Sequence, residues 1–245
     1  MSTSTHQQLE SLAKKIHDYL RTEERYDPEF IPPPFFIEFT GPASSGKSTS
    51  IRELYNFLRR HGFRVLKPQE GAEVIQHIPR TTPLYNIRTG MYALTQLIDL
   101  AQGHMYDVVL FDRCVYDAHT WMSYWREKQL LTEEECRHYQ TYFLSPFWQK
   151  EITIGYIMVC DPEIAARREL RIALSDKLGD STKPASIAKI HAHFVNTYET
   201  LKDTHPQLQL IDTSTLTESQ MVETIGTRTL EILEQKIRER ARSVE

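Results

Sequence analysis

One eight-residue segment has the residue types and spacing of a phosphate-binding loop. The segment GPASSGKS, from Gly41 to Ser48, satisfies G-x-x-x-x-G-K-[ST]. It lies between an apolar stretch and a helical pattern, so backbone N–H groups and the helix dipole would converge on an anion. Lys47 can then reach the β and γ phosphates of a nucleotide, and the Ser48 hydroxyl can bind Mg²⁺. The pattern predicts binding of ATP or GTP through Gly41, Pro42, Ala43, Ser44, Ser45, Gly46, Lys47, Ser48 and Thr49.

Three charged side chains come at the ends of apolar segments that follow the loop. Asp112 and Arg113 end the segment YDVVLFDR, and Glu70 follows the segment Phe63 to Lys67. Since ligands of parallel sheets gather beyond the carboxyl ends of the strands, we expect all three near the loop. Asp112 can hold Mg²⁺ or orient a hydroxyl, Arg113 can bind a transferring group, and Glu70 can accept a proton. The alternatives are a surface ion pair for Asp112 and Arg113 and a solvated carboxylate for Glu70.

A group of arginines follows the apolar segment from Ile154 to Asp161. Arg167, Arg168 and Arg171 lie in one helical pattern, and a polar stretch at about 172–186 follows and predicts a lid. Arginines on a lid can neutralise charge on a transferring phosphoryl group once closure excludes water. Arg168 and Arg171 share a helix face and are the better pair. The alternative is a solvated basic surface.

Apolar strand candidates alternate with helix-length stretches along the chain. This alternation predicts an α/β fold in which helices cover both faces of a parallel five-stranded sheet. The organisation predicted is an N-terminal amphipathic helix with a Pro-rich linker over 1–34, followed by one domain over 35–245. The strands are expected at 35–41, 63–67, 107–112, 154–161 and 208–212, and the helices at 6–25, 48–60, 86–102, 115–129, 132–144, 162–175, 187–203 and 217–240.

Composition limits the class of protein. The chain has 245 residues, 40% of them hydrophobic and 25% charged, with a formal charge of −4, so it can bury a core and a general polyanion-coating role is disfavoured. Its first residues, MSTSTHQQLE, lack a signal-peptide pattern and no apolar run has the length of a membrane span, so we expect a soluble cytoplasmic protein. The spacing of Cys114, Cys136 and Cys160 suits neither a disulfide framework nor a zinc site.

Taken in order, these motifs resemble the group of P-loop kinases that contains deoxynucleoside kinases and thymidylate kinases. The resemblance covers roughly residues 35–212 and includes the long stretch DRCVYDAHTWMSYWREKQLLTEEECRHYQTYF. It implies a doubly wound P-loop NTPase fold, Mg²⁺ and ATP as donor, and phosphoryl transfer to a nucleoside or nucleoside monophosphate. By this resemblance Glu70 matches the carboxylate that activates the acceptor hydroxyl, Arg113 matches the arginine that supports it, and Arg168 matches a lid arginine.

The specificity patterns of that group are not intact, so the acceptor stays open. Deoxynucleoside kinases carry Glu where Asp112 stands, and their base-reading Phe-Gln pair falls on Thr89 and Gly90. Thymidylate kinases have an acid at about Ala43 and an arginine near Gln96. The loop GPASSGKST is closest to that of nicotinamide riboside kinases, which makes such a kinase an alternative.

The segment between Glu70 and Gln102 is expected to line the acceptor pocket. Aromatic side chains there can stack on a base, although tyrosines at helical spacing also suit core packing. The partner expected is a small nucleoside-like acceptor, with a homodimer possible and nucleic acid disfavoured by the net charge. The other hypothesis is an ATPase or switch that acts through a protein partner; no N-K-x-D pattern supports a GTPase switch. The pocket residues predicted are Arg80, Tyr85, Arg88, Tyr92 and Gln96.

Overall fold

A parallel sheet lies at the centre of the structure, a computed structural model that describes residues 3–21, 34–103, 105–172 and 183–242. Within these residues the sheet has five strands in the order β2-β3-β1-β4-β5, and every neighbouring pair is parallel. The predicted α/β fold is therefore confirmed. The strands are β1 (Phe35–Thr40), β2 (Val65–Leu66), β3 (Val108–Asp112), β4 (Ile152–Val159) and β5 (Leu208–Asp212).

Helices connect the strands and cover both faces of the sheet. Since side chains alternate along a strand, Phe35, Ile37 and Phe39 of β1 face one side and Phe36 faces the other. The first side packs against α1, α2 and α10, and the second against α4, α5 and α9. The described helices are α1 (Thr3–Leu20), α2 (Lys47–Arg60), α3 (Gly71–Val74), α4 (Pro83–Ala101), α5 (Val115–Glu127), α6 (Glu133–Phe143), α7 (Pro146–Gln149), α8 (Pro162–Ile172), α9 (Pro184–Leu201) and α10 (Glu218–Arg242).

The N-terminal helix α1 packs on the domain core. Leu9, Ala13 and Ile16 are buried in the cluster that α10 shares with the sheet. At the end of the described N-terminal segment, Arg21 donates from Nη1 and Nη2 to both carboxylate oxygens of Asp107, which also accepts from Arg64. The amphipathic pattern of this helix thus reflects a buried face. Most of the predicted linker lies outside the described residues.

Several predicted element bounds differ from the structure. Strand β2 has two residues rather than five, and β4 begins and ends two residues earlier than expected. Helix α9 begins at Pro184, three residues earlier than expected, because the fixed φ of proline suits a first helical turn; residues 184–186, the end of the predicted lid, are therefore helical. Residues 173–182, the centre of the predicted lid, lie outside the described residues. The short helices α3 and α7 were not predicted.

None of the described helices combines the length and the apolar composition that crossing a membrane requires. The three cysteines are buried and their thiols are free.

Candidate functional site

The phosphate-binding loop connects the end of β1 to the start of α2. Gly41 and Gly46 have φ values of 142° and 95°, a conformation that disfavours residues with a Cβ. A Cβ on Gly41 would lie 1.9 Å from the backbone oxygen of Met158, so the loop requires glycine there. Gly46 precedes the first residue of α2 and provides no side-chain cap, which leaves the first-turn N–H groups directed to the loop. The loop therefore has the geometry of an anion site.

Lys47 lies inside this loop. Its Nζ donates to the backbone oxygens of Gly41 at 2.9 Å and Pro42 at 2.7 Å, and the residue is buried. Burial lowers the pKa of the Lys47 ammonium to about 8, helped by the charge of Arg113 and opposed by nearby carboxylates. The lysine is thus held where phosphate oxygens would replace the loop carbonyls as its partners.

A hydroxyl and a carboxylate meet at the end of the loop. Ser48 Oγ donates to Asp112 Oδ2 over 3.4 Å, because β1 and β3 are neighbours and Phe39 pairs with Asp112 in the register. Both groups are hard oxygen ligands of the kind that Mg²⁺ prefers, and Mg²⁺ commonly uses one or two carboxylates with substrate phosphates. The described residues contain no cluster of three or more His, Cys, Asp or Glu suited to a metal. These two groups fit Mg²⁺, with water and nucleotide oxygens as its further ligands. Thr49, the next residue of α2 after Ser48, carries a second hydroxyl.

Arg113 joins the loop to two carboxylates. Its Nε donates to Glu70 Oε1 at 3.1 Å, and its Nη1 donates to Asp117 Oδ1 at 2.8 Å and to the backbone oxygen of Gly41 at 3.5 Å. Arg113 has a φ of 72°, which is uncommon for a residue other than glycine and concentrates at functional sites. Burial raises the pKa of the Glu70 carboxyl above its ordinary value, and the charge of Arg113 opposes that rise. The sequence predicts that Glu70 and Arg113 both lie near the phosphate-binding loop, and in the structure their side chains are in contact.

Two carboxylates of the site were missed in the sequence. Asp117 follows Arg113 by one helical turn and also accepts from Thr40 Oγ1 at 2.7 Å. Glu38 is fully buried in β1 and accepts hydrogen bonds from the start of α5. Burial raises the pKa of Glu38 to about 7, although those hydrogen bonds oppose the rise. A single acid inside the apolar segment FFIEFT was the available signal, because a buried carboxylate must find donors.

A cavity of about 160 Å³ opens beside the loop. Its wall combines loop residues with α3, α4 and the start of α5. The charged and polar residues in its wall include Glu70, Arg80, Tyr85, Asn86, Thr89, Asp112, Arg113 and Asp117. Two residues predicted for the acceptor pocket, Arg80 and Tyr85, therefore lie in its wall, and the Arg80 guanidinium stands 5.6 Å from the centre of the Tyr85 ring.

The other three residues predicted for that pocket lie outside it. Arg88, Tyr92 and Gln96 are not in the wall of this cavity, and their role in binding an acceptor stays a prediction. The residues of α4 in the cavity wall are Tyr85, Asn86, Thr89, Gly90 and Ala93, which lie in the N-terminal half of the helix. There Gly90 packs closely on α5, where a Cβ would lie 2.6 Å from Ala118 Cβ.

One of the three late arginines reaches the loop. Arg168 donates from Nη1 to the backbone oxygen of Ser44 at 3.4 Å, and from Nη2 to the backbone oxygen of Thr213 at 2.8 Å. Ser44 Oγ donates to Glu169 Oε2 at 2.6 Å, so α8 contacts the loop through two residues. Arg167 and Arg171 are exposed, and Arg167 donates to the backbone oxygen of Glu163 in its own helix. The structure therefore does not pair Arg171 with Arg168 at the loop.

Comparison with known families agrees with this geometry. A family model described as an AAA domain matches residues 36–199, about two-thirds of the chain. The chain belongs to this AAA domain family. The matched residues run from β1 into α9 and include the phosphate-binding loop, Glu70, Asp112, Arg113 and Arg168. As an AAA domain of P-loop NTPase type, the chain carries a nucleotide-binding domain. No curated protein matches the chain.

Proposed function

We propose that this AAA domain protein transfers the γ-phosphoryl group of ATP to a nucleoside or nucleoside monophosphate in a Mg²⁺-dependent reaction. One observation carries the proposal. Glu70 and Arg113 are hydrogen-bonded to each other in the wall of a cavity that begins at the phosphate-binding loop. An acceptor in this cavity would stand between a proton acceptor and the position of the transferred group, which is the arrangement that phosphoryl transfer needs.

The residues of the site have separate roles in this reaction. The loop and Lys47 hold the triphosphate, and the cavity holds the acceptor with its hydroxyl toward Glu70. With a nucleoside, the hydroxyl oxygen bonds to the γ-phosphorus while its proton passes to Glu70; with a nucleoside monophosphate, an ionised phosphate oxygen attacks and gives no proton to Glu70. In both cases the bond from the γ-phosphorus to the bridging oxygen of ADP breaks. Arg113 and Arg168 supply positive charge near the transferred group. Ser48 and Asp112 would hold Mg²⁺, which would supply positive charge against the phosphates.

Burial of Glu70 supports its role as the base. Desolvation raises the pKa of the Glu70 carboxyl, which makes the carboxylate a better proton acceptor. Arg113 limits that rise and keeps the carboxylate available in its ionised form.

The cavity supports a small acceptor with a planar ring. The cavity is concave and begins at the phosphate-binding loop, which suits a small acceptor held beside the triphosphate. Tyr85 presents its ring in the wall, and Thr89 and Asn86 provide hydrogen-bonding groups beside it. Nicotinamide riboside has the same general chemistry as a nucleoside and is therefore included among the acceptors to test.

A second candidate is a nucleotide-dependent ATPase or switch that acts through a protein partner. The match to an AAA domain favours it, because that match supports NTPase-type activity without specifying an acceptor. In this case Glu70 and Arg113 would act on a water molecule or contact the protein partner.

The test measures ADP formation by the purified full chain with Mg²⁺ and ATP, alone and with nucleosides, nucleoside monophosphates and nicotinamide riboside. We expect turnover with one acceptor class. With a nucleoside acceptor, Glu70→Gln should lower that turnover by roughly 100- to 10,000-fold and leave ATP affinity within about twofold. Glu73→Gln is the matched control, because Glu73 is an exposed carboxylate three residues along on α3 and lies outside the cavity wall. Hydrolysis that no acceptor stimulates would favour the ATPase.

A further inference from the structure

A carboxylate inside the sheet faces the turn that carries Arg113. Glu38 lies on β1, between β3 and β4, and its exposure is 0%. It shares the strand face of Phe36 and Thr40, which is the side that α5 covers. An isolated buried carboxylate is costly, so its hydrogen-bond partners determine what it does.

Those partners are three backbone N–H groups at the start of α5. Glu38 Oε1 accepts from Cys114 N at 2.8 Å and Asp117 N at 2.9 Å, and Oε2 accepts from Tyr116 N at 3.1 Å. The residue before the helix, Cys114, makes no side-chain cap. Glu38 therefore caps α5 from a different element, with its negative charge at the positive end of the helix dipole.

This cap fixes the backbone that follows Arg113 and the position of Asp117, whose carboxylate contacts the Arg113 guanidinium. Arg113 has the uncommon φ of 72° and precedes Cys114, whose N–H Glu38 holds. The N–H of Asp117 is bound to Glu38, and its carboxylate accepts from both Thr40 and Arg113. The backbone of the turn and the acid that orients Arg113 thus depend on one buried side chain. Glu38 does not line the cavity and cannot touch an acceptor there.

We propose that Glu38 is a positioning residue for phosphoryl transfer, which acts by holding Arg113 against Glu70 and Asp117. The inference rests on the proposed function. A carboxylate suits the position because both of its oxygens accept hydrogen bonds. The amide of glutamine would offer one accepting oxygen and would turn N–H donors toward a backbone N–H.

A double-mutant cycle between Glu38→Gln and Arg113→Gln tests this role with the full chain. If Glu38 acts through Arg113, Glu38→Gln lowers kcat for acceptor phosphorylation by roughly 10- to 100-fold and leaves the KM for ATP within about twofold. In the Arg113→Gln background the same change should have an effect below about twofold. A structural role alone would lower the folded fraction equally in both backgrounds. Glu199→Gln, at an exposed carboxylate paired with Lys202, is the control.

The outcomes separate this inference from its premise. Wild-type protein without acceptor-dependent turnover overturns the proposed function and the inference with it. Two results with active wild-type protein overturn only the positioning role: the fold-reductions in kcat of the two substitutions multiply in the double variant, or Glu38→Gln has no effect. If Glu38→Gln does not fold, Glu38→Asp enters the same cycle, because it keeps the charge and withdraws the carboxylate by one methylene.

Discussion

Arg113 donates from Nε to Oε1 of Glu70 over 3.1 Å, so an arginine and a half-buried acid share one wall of the cavity. The two effects on Glu70 oppose each other. Burial raises the pKa of its carboxyl, and the positive charge of Arg113 lowers it. Because the acid must be ionised to accept a proton, this contact controls the pH range in which Glu70 can act.

Replacing Arg113 with lysine or glutamine separates its geometry from its charge. Neither side chain reproduces the planar fork that contacts Glu70 and Asp117 together, so both variants should lose roughly 10- to 100-fold in kcat. Only Arg113→Gln removes the charge that lowers the pKa of Glu70. The acid limb of the kcat/KM profile for the acceptor should therefore move to higher pH in Arg113→Gln and stay in place in Arg113→Lys. Equal shifts in both variants would argue against Glu70 as the base.

The lowered pKa of Lys47 predicts that kcat/KM for ATP falls at alkaline pH. Its ammonium titrates at about 8 in the free protein, and the neutral amine binds phosphate poorly. We expect kcat/KM for ATP to fall as pH rises through about 8, because this parameter reports the free enzyme. Tyr85, a group of the cavity wall that titrates in alkali, has its pKa raised above 10.0 by burial. In Lys47→Arg the arginine stays protonated in this range. Its kcat/KM for ATP should therefore be lower than that of the wild type and should not fall through pH ~8.

Arg168 and Arg171 are predicted to differ in their effect on turnover. Arg168 contacts the phosphate-binding loop and the residue after β5, whereas Arg171 is exposed on the same helix. Arg168→Ala should therefore lower ATP turnover by roughly tenfold more than Arg171→Ala does. The comparison is measured as kcat and KM for ATP. Equal losses would mean that the exposed arginine also reaches the nucleotide during turnover.

The parts of the fold that the sequence predicted are those set by local pattern. Each strand is an apolar run that ends in polar or turn residues, and the loop motif is contiguous, so the sheet and the phosphate-binding loop were located correctly. The short strand β2 and the start of α9 depend on neighbouring packing and were misplaced by a few residues. Assignment to a kinase group and the identity of the acceptor stay predictions.

The parts of the site that the sequence missed depend on distant contacts. Glu38 and its three N–H partners are 76 to 79 residues apart, so no short sequence pattern indicates that they are in contact. Tyr85 lines the cavity and Tyr92 does not, because the wall includes only the N-terminal half of α4, which spacing along one helix does not indicate. An arginine was more informative when it followed a strand directly, as Arg113 does, because strand ends converge at one edge of a parallel sheet.

Two glycines offer a matched test of the loop geometry. Gly41→Ala forces a Cβ to within 1.9 Å of a backbone oxygen at a positive φ, and it should lower the free energy of unfolding by at least about 3 kcal/mol. Gly226→Ala, inside α10 with open space around it, should raise that free energy by about 0.5–1 kcal/mol. Urea unfolding of both variants measures the contrast. Similar midpoints for the two would show that the loop relaxes around the added methyl.

Asp107 is predicted to tie the N-terminal helix to the sheet in a pH-dependent way. Burial would raise the pKa of its carboxyl, but hydrogen bonds from Arg21 and Arg64 hold the pKa below its ordinary value of 3.8. Such a group stabilises the folded state fully above its unfolded pKa, and that stabilisation is lost as pH falls through the lower folded value. Asp107→Asn should therefore cost about 2–3 kcal/mol near neutral pH, and less when urea unfolding is repeated near about pH 3.5. The control is Asp99→Asn, at an exposed acid on α4, which should change the free energy of unfolding at neither pH. If the loss of stability in Asp107→Asn were the same at both pH values, the carboxylate charge would not hold the helix in place.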